Sequence, residues 1–460
     1  MDINVKKMLF DEYFESYYDE MVSSLRGLIE IESTNGNSVD GKPFGEGAST
    51  ALEYIKNLSE SFGLTARNFD NYVVTADYSD GDAKLGILAH VDVVPAGEGW
   101  SFEPFKLTES DGVLYGRGTI DDKGPAIAAL YAAKAIKELE IPISSNFRYI
   151  FGSDEEQGGS DIQHYQSIEK FPELLLTPDG SFPIVNAEKG MAHVIFEGSK
   201  PDCDDKLVSF ASGTAVNAVP ATATAVLTLT SIDAVLDAIG MLSTTVHFQL
   251  EQNDNVLTII ATGKSSHGSR PERGDNALTA LLSLLDNLGI SIAHDLCKLF
   301  KHGEFFGEGF GIECEDEISG KLTLALTVCN IADNRMEIGL DCRFPISKAS
   351  ADIMPVIFGE LEKLDLKVKQ SDIMEPHYVD ENSEFIQKLK EVYSLVTGYD
   401  AECLCEGGVT YVHNTKGGVA FGAEFAWENN NMHSADEHIS KETFLANAKA
   451  YALAISELCK

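Results

Sequence analysis

Three short apolar runs constrain the fold more than any other feature of the chain: Leu85-Gly-Ile-Leu-Ala89, Phe147-Arg-Tyr-Ile-Phe151 and Leu174-Leu-Leu176. They do not alternate. A strand with one face in water alternates apolar and polar side chains, whereas a near-continuous apolar run fits a strand covered on both faces. Covering both faces takes helices, and helical patterns flank the runs. Val5, Met8, Leu9, Met21, Leu25 and Leu28 carry helical spacing through Asn4–Ile31. A second helix fits Ala48–Phe62, and an alanine-rich one fits Gly124–Leu139, with Pro125 in its first turn. Strands alternating with helices predict an α/β layer architecture.

The middle of the chain is patterned differently. Thr224–Thr230, Val256–Ala261, Lys321–Val328 and Met336–Cys342 alternate and predict half-buried antiparallel strands. Helical segments lie between them, near Ile232–Leu242, Asn276–Leu288 and Ala351–Leu364. Glu384–Val396, Gly418–Phe425 and Lys441–Leu458 then return to helix, strand and helix. An α/β domain split by an inserted α+β domain explains this order, with boundaries at 1–184, 185–380 and 381–460.

Charge narrows the partners. Lys and Arg number 35 against 73 Asp and Glu, a net charge of −38. Such a surface repels phosphate backbones and anionic lipid, which argues against nucleic acid or membrane as a partner. No apolar run reaches the roughly 18 residues of a membrane span, and Met1–Phe10 lacks a signal-peptide core. Eight scattered cysteines without such a signal predict reduced thiols in a cytoplasmic protein.

Five polar clusters follow the strands. They are His90-Val-Asp92, Gly116-Arg-Gly-Thr-Ile-Asp121-Asp-Lys-Gly124, Ser153-Asp-Glu-Glu156, Thr177-Pro-Asp179-Gly180 and Asn431-Met-His433-Ser-Ala-Asp-Glu437. Strand ends are where open α/β sheets bind ligands. In an extended segment His90 and Asp92 share a side, so the carboxylate can hold one ring nitrogen while the other takes a metal. One of Asp121 and Asp122 can cap the following helix, leaving the other for a cation. Among adjacent acids, one can ligate while its neighbour moves a proton. Singly, each cluster is an ordinary strand end or turn. Together, mixed nitrogen and oxygen donors suit zinc or manganese, and the excess of acids suits two metals sharing a carboxylate.

In order and spacing these motifs resemble the co-catalytic dizinc peptidase family of aminoacylases, carboxypeptidases and carnosinases, and most of all its bacterial broad-specificity dipeptidase branch. The resemblance implies a mixed-sheet α/β zinc-peptidase catalytic domain interrupted by an α+β lid. It implies two divalent ions, zinc with manganese or cobalt as alternatives. By that pattern His90 and Asp179 hold one metal, Glu156 and His433 the other, and Asp121 bridges them. Asp122 is left as the helix cap, Asp92 orients His90, and Glu155 is the general base acting on a water bridging the metals. In the insert, His267 matches the lid histidine that reaches the substrate carbonyl. Asn217 and Arg343 match lid positions, and Gly408 and Thr410 lie in a glycine-rich turn, Glu406-Gly-Gly-Val-Thr410, that offers donors to a substrate carboxylate.

The implied activity is hydrolysis of unblocked dipeptides. Deacylation of N-acetyl or N-succinyl amino acids would use the same motifs, and a non-catalytic binding protein on this fold is disfavoured by the intact Glu155. A lid of about 195 residues, 185–380, is nearly twice that of the dimeric members. It can supply the lid histidine from its own chain, so a monomer is expected.

Overall fold

A computed structural model describes residues 1–199, 206–228 and 230–460. The chain divides into two compact units. One comprises Met1–Asn186, Val379–Leu404 and Thr410–Lys460, and the other Ala187–Tyr378 with Cys405–Val409.

The first unit is built on a mixed sheet. Its strands run in the order Thr65–Phe69, Val73–Asp77, Asn146–Gly152, Ala83–His90, Leu174–Thr177, Gly418–Ala420 and Ile184–Glu188. The four central strands are parallel and the flanking pairs antiparallel. The non-alternating runs have the cause inferred from sequence. Leu85, Ile87, Ala89, Phe147, Tyr149 and Phe151 enter one core. Leu88 and Ile150 enter a second, on Ile162, Tyr165 and Tyr411. Helices Ile3–Ile29, Lys123–Glu138, Glu384–Thr397 and Lys441–Leu458 contribute to the first core, and Ser160–Ile168 to the second.

The second unit is an eight-stranded, wholly antiparallel sheet in the order His247–Asn253, Val256–Thr262, Thr222–Thr228, Leu207–Ser212, Thr323–Ala332, Arg335–Phe344, Gly190–Ser199 and Lys367–Met374. Its core includes residues of helices Ala277–Asn287, Ser291–Leu299 and Ser350–Glu362. Alternate strand residues such as Leu257, Ile259 and Ala261 face that core. Leu229, in the strand predicted over Thr224–Thr230, lies outside the described residues.

Several elements differ from the sequence expectation. The strand expected over Gly418–Phe425 spans only Gly418–Ala420. Helices Ser160–Ile168 and Ser291–Leu299, only nine residues each, are not among the expected elements; the first is largely polar, whereas the second carries a clear apolar stripe of Ile292, Ala293, Leu296 and Leu299. Asp122 occupies the N-cap position of Lys123–Glu138 but makes no side-chain cap. Its Oδ2 instead accepts the backbone N–H of His90 at 3.1 Å, a partner two strands of sequence away.

Candidate active site

Parallel pairing gathers the polar clusters of the first unit. His90 pairs with Gly152, and Ile87 with Leu176, so three strands end together. Beyond those ends lie His90, the Ser153–Glu156 turn and Asp179. Asp121 lies just before the helix Lys123–Glu138, and His433 arrives on a loop with φ of +58°. Such left-handed backbone is uncommon outside glycine and is often found at functional loops.

Asp121 lies between the two histidines. Its Oδ1 is 3.0 Å from His90 Nε2, and its Oδ2 is 2.8 Å from His433 Nε2. His90 Nε2 is also 3.7 Å from Asp179 Oδ2, and His433 Nε2 is 3.2 Å from Glu156 Oε1. Donor atoms of His90, Asp121 and Glu156 fall within 4.8 Å of one another, as do those of His90, Glu155 and Asp179. His90 is wholly buried, whereas the His433 side chain is 50% exposed.

Other buried carboxylates hold the loops that carry the cluster. Asp92 accepts the N–H groups of Glu155 and Glu156 at 3.3 and 3.2 Å, and its Oδ1 is 3.3 Å from His90 Nδ1. Glu437 Oε1 accepts from Gly118 and Ile120 at 2.9 and 3.0 Å, while its Oε2 pairs with Arg117 at 2.5 Å. The loop that presents Asp121 is therefore pinned by the segment that presents His433. His438, five residues after His433, turns its Nδ1 to the Asp436 carbonyl at 2.8 Å.

The electrostatics fit a cation. Burial and the neighbouring Asp179 push Glu155 well above the usual carboxylate range, and burial and Asp121 push Glu156 up. Burial also raises Asp122. Contacts to Asp121 and Glu156 raise His433 to about 11. Burial would lower His90, but Asp121 and Asp92 outweigh it and raise the imidazole well above its ordinary value. Crowded acids of this kind relax when a positive ion enters. His90 Nε2 is buried and, despite its short distances, has no aligned hydrogen-bond partner. A lone pair so placed, among carboxylates, matches a nitrogen ligand in a mixed donor set.

The second unit carries a cluster of its own. Arg343 is buried, and its Nε and Nη2 bind the two oxygens of Asp341 at 2.7 and 3.1 Å. Its Nη1 donates to the Gly407 carbonyl at 2.7 Å, and Nη2 lies 3.0 Å from His193 Nε2. Asn217 is exposed, and its carbonyl accepts the Gly268 N–H at 2.7 Å. His267 Nδ1 accepts the Ser269 N–H at 3.2 Å, which places the ring proton on Nε2. Burial, then the Arg343 charge, lowers the His267 pKa, so the ring is a neutral donor. A Cβ at Gly408 would meet nothing within 4 Å; Thr410 belongs to the first unit, where its carbonyl accepts the His413 N–H at 3.0 Å.

Sequence reasoning missed the pairing of His193 with Asp341. His193 faces Asp341 through the register of non-consecutive strands, Gly190–Ser199 on Arg335–Phe344. No spacing rule reveals such a pairing.

The histidine–carboxylate cluster at the parallel strand ends thus contains two groups of donors that could hold a metal ion. The chain matches the description "Peptidase family M20/M25/M40" over residues 86–457. The protein named "Putative dipeptidase YtjP" of Bacillus subtilis (strain 168) is 35% identical over 457 residues, covering 96% of this chain and 98% of that one. A Staphylococcus epidermidis protein with the same provisional dipeptidase name is 32% identical, covering 98% and 99%. Human carnosine dipeptidase 1 and the di-peptidase Dug1p of Saccharomyces cerevisiae share the fold, with TM-scores of 0.60 and 0.59 at 16% and 15% identity. Each alignment covers 99% of both chains. The chain belongs to peptidase family M20/M25/M40 and is a metallopeptidase.

Proposed function

We propose that the protein is a metal-dependent dipeptidase that cleaves unblocked dipeptides, with one active site per monomer in the cytoplasm. The observation that carries this reading is Asp121, whose two carboxylate oxygens reach separate histidines 3.0 and 2.8 Å away. The dipeptidase names of relatives at 35% and 32% identity support the substrate class.

His90 and Asp179 would hold one divalent ion, Glu156 and His433 the second, and Asp121 would join them. Zinc fits the donors, with manganese or cobalt as substitutes. Such ions, when bound, acidify water and polarise a carbonyl oxygen. Glu155 takes up the proton released as water adds to the peptide carbonyl and returns it to the departing amine. Burial and the neighbouring Asp179 push Glu155 well above the usual carboxylate range, which supports a proton-accepting role. Asp92 fixes the His90 ring and, through two backbone N–H groups, the turn bearing Glu155.

The unit 185–380 would act as a lid between catalytic segments 1–184 and 381–460. His267 offers its Nε2 proton to the developing oxyanion. Arg343, Asn217, Gly408 and Thr410 receive the substrate carboxylate. Arg343 is already held by Asp341, which fixes its plane in advance. A panel of free dipeptides against N-acetyl and N-succinyl amino acids, with and without chelator, tests the reading. Chelator-sensitive turnover restricted to free dipeptides is expected. Turnover restricted to the N-acyl compounds would replace it with deacylation.

A further inference from the structure

Glu155 and Glu156 ride on a single turn of 3₁₀ helix, Glu155–Gln157, which is too short to hold a fixed shape by itself. Four consecutive backbone N–H groups enter this turn, and buried carboxylates bind all four. Asp92 takes those of Glu155 and Glu156. Asp161, fully buried in the first turn of helix Ser160–Ile168, takes those of Ser153 and Asp154 at 2.5 and 3.0 Å through its Oδ2. Its Oδ1 accepts from Ile162 at 2.6 Å.

The Tyr411 hydroxyl donates to the same Oδ2 at 2.5 Å. Tyr411 is 5% exposed, sets its ring edge-on to His90 with centroids 6.1 Å apart, and directly follows Thr410 in the chain. The fit leaves no slack. A Cβ on Gly152 would lie 2.2 Å from Tyr411 Oη and 2.4 Å from Asp161 Oδ2.

We propose that Asp161 and Tyr411 are positioning residues for peptide hydrolysis: a hydrogen-bonded pair that fixes the turn bearing Glu155 and ties it to the Thr410 segment. The proposal rests on the reading of Glu155 as general base. Asp161 acts through backbone N–H groups and one hydroxyl, so it does not join the ligand set. Asp92 controls the turn from its far half and Asp161 from its near half. Losing the Tyr411 hydroxyl leaves the ring in place but removes one of the donors that hold the Asp161 carboxylate against the turn. The base then samples positions off the line to the substrate while the ligands remain.

The test uses metal-loaded Tyr411→Phe enzyme, with Asp161→Asn as the second variant should the first fail to fold. Supporting groups around metal-site loops typically contribute about 10–100-fold in activity, and kcat should fall within that range. KM and metal content by elemental analysis should stay at wild-type values, and the Glu155-dependent limb of the pH–kcat profile should move. Unchanged kcat and pH profile, or loss of metal in proportion to activity, would overturn the proposal. Glu155→Gln is measured alongside. If it is inactive while Tyr411→Phe is fully active, only the positioning pair fails. If Glu155→Gln keeps full activity, the general-base reading fails, and a kcat loss in Tyr411→Phe then has another origin and refutes positioning of Glu155 as well.

Discussion

The two polar clusters handle buried charge in opposite ways. In the first unit, His90 and His433 both face Asp121, His90 also faces Asp179 and His433 also faces Glu156, and donor atoms of His90, Glu155 and Asp179 lie within 4.8 Å of one another. Burial pushes Glu155 and Glu156 up, whereas Asp121, which burial alone would raise, is held below the usual carboxylate range by His433 and His90, and both histidines are raised. In the second unit, Asp341 is matched by Arg343 and His193 within the fold. Burial would raise Asp341, but His193 and the Arg343 charge hold it below the usual carboxylate range. Under the proposed function, the acid-rich cluster would receive a cation, whereas the Asp341–Arg343 pair would keep one cationic side chain rigid.

The strongest way to break this contrast is to withhold the ion. Chelation should abolish hydrolysis, and zinc, manganese or cobalt should restore it. Protein shown metal-free by elemental analysis that kept full activity would remove the basis of the comparison. Next come the adjacent acids. Glu155→Gln should lose about 10²–10⁴ in kcat, the usual contribution of a general base, while retaining metal. Glu156→Ala should lose metal, and the opposite outcome would exchange the two roles.

His267→Ala should lower kcat by about 10²–10³, as loss of an oxyanion donor does, with metal content unchanged. Mixing it with Glu155→Ala protein tests the single-chain site, because recovered activity would require an active site shared between subunits. Arg343→Ala sharpens the second half of the comparison. It should raise KM for dipeptides and, by leaving buried Asp341 with only His193 beside it, destabilise the fold by about 3–5 kcal/mol in chemical denaturation. A variant with unchanged KM would exclude Arg343 from substrate binding.

The smallest expected effect is a pH slope. Burial raises Asp161 to about 7, against roughly 3.9 in an unfolded chain. Between those values the folded protein retains a proton that the unfolded chain has released. Asp161 therefore makes stability fall as pH rises through that window, with no further change from this group well above it. Asp341 has the opposite sign: held low, it contributes stability above about pH 4 that is lost as pH falls further. Denaturation of Asp161→Asn between these pH values should show a flatter dependence than wild type, and an identical slope would exclude Asp161 as its source.

Much of the architecture was legible because it depends on local pattern. Helix Lys441–Leu458 matches its predicted span, and the runs ending at Ala89, Phe151 and Leu176 are buried strands because both their faces meet helices. The clusters around His90, Asp121, Glu156, Asp179 and His433 were legible as strand-end and loop motifs. Asp122 shows where local reasoning stops. A residue placed like a helix cap binds the His90 backbone instead, because the folded sheet brings that N–H within reach. Asp161 lies in a short polar helix with no periodic signal, and Tyr411 reaches it from 250 residues away.

The sequence alone determined which residue types stand at the strand ends, and so the donor chemistry on offer. Only the tertiary structure decided which carboxylates face the histidines and which bind backbone amides. That division depends on parallel register, His90 beside Gly152, and on loops returning from distant parts of the chain. A carboxylate's role is set by the nearest buried donor, and no one-dimensional spacing encodes that distance.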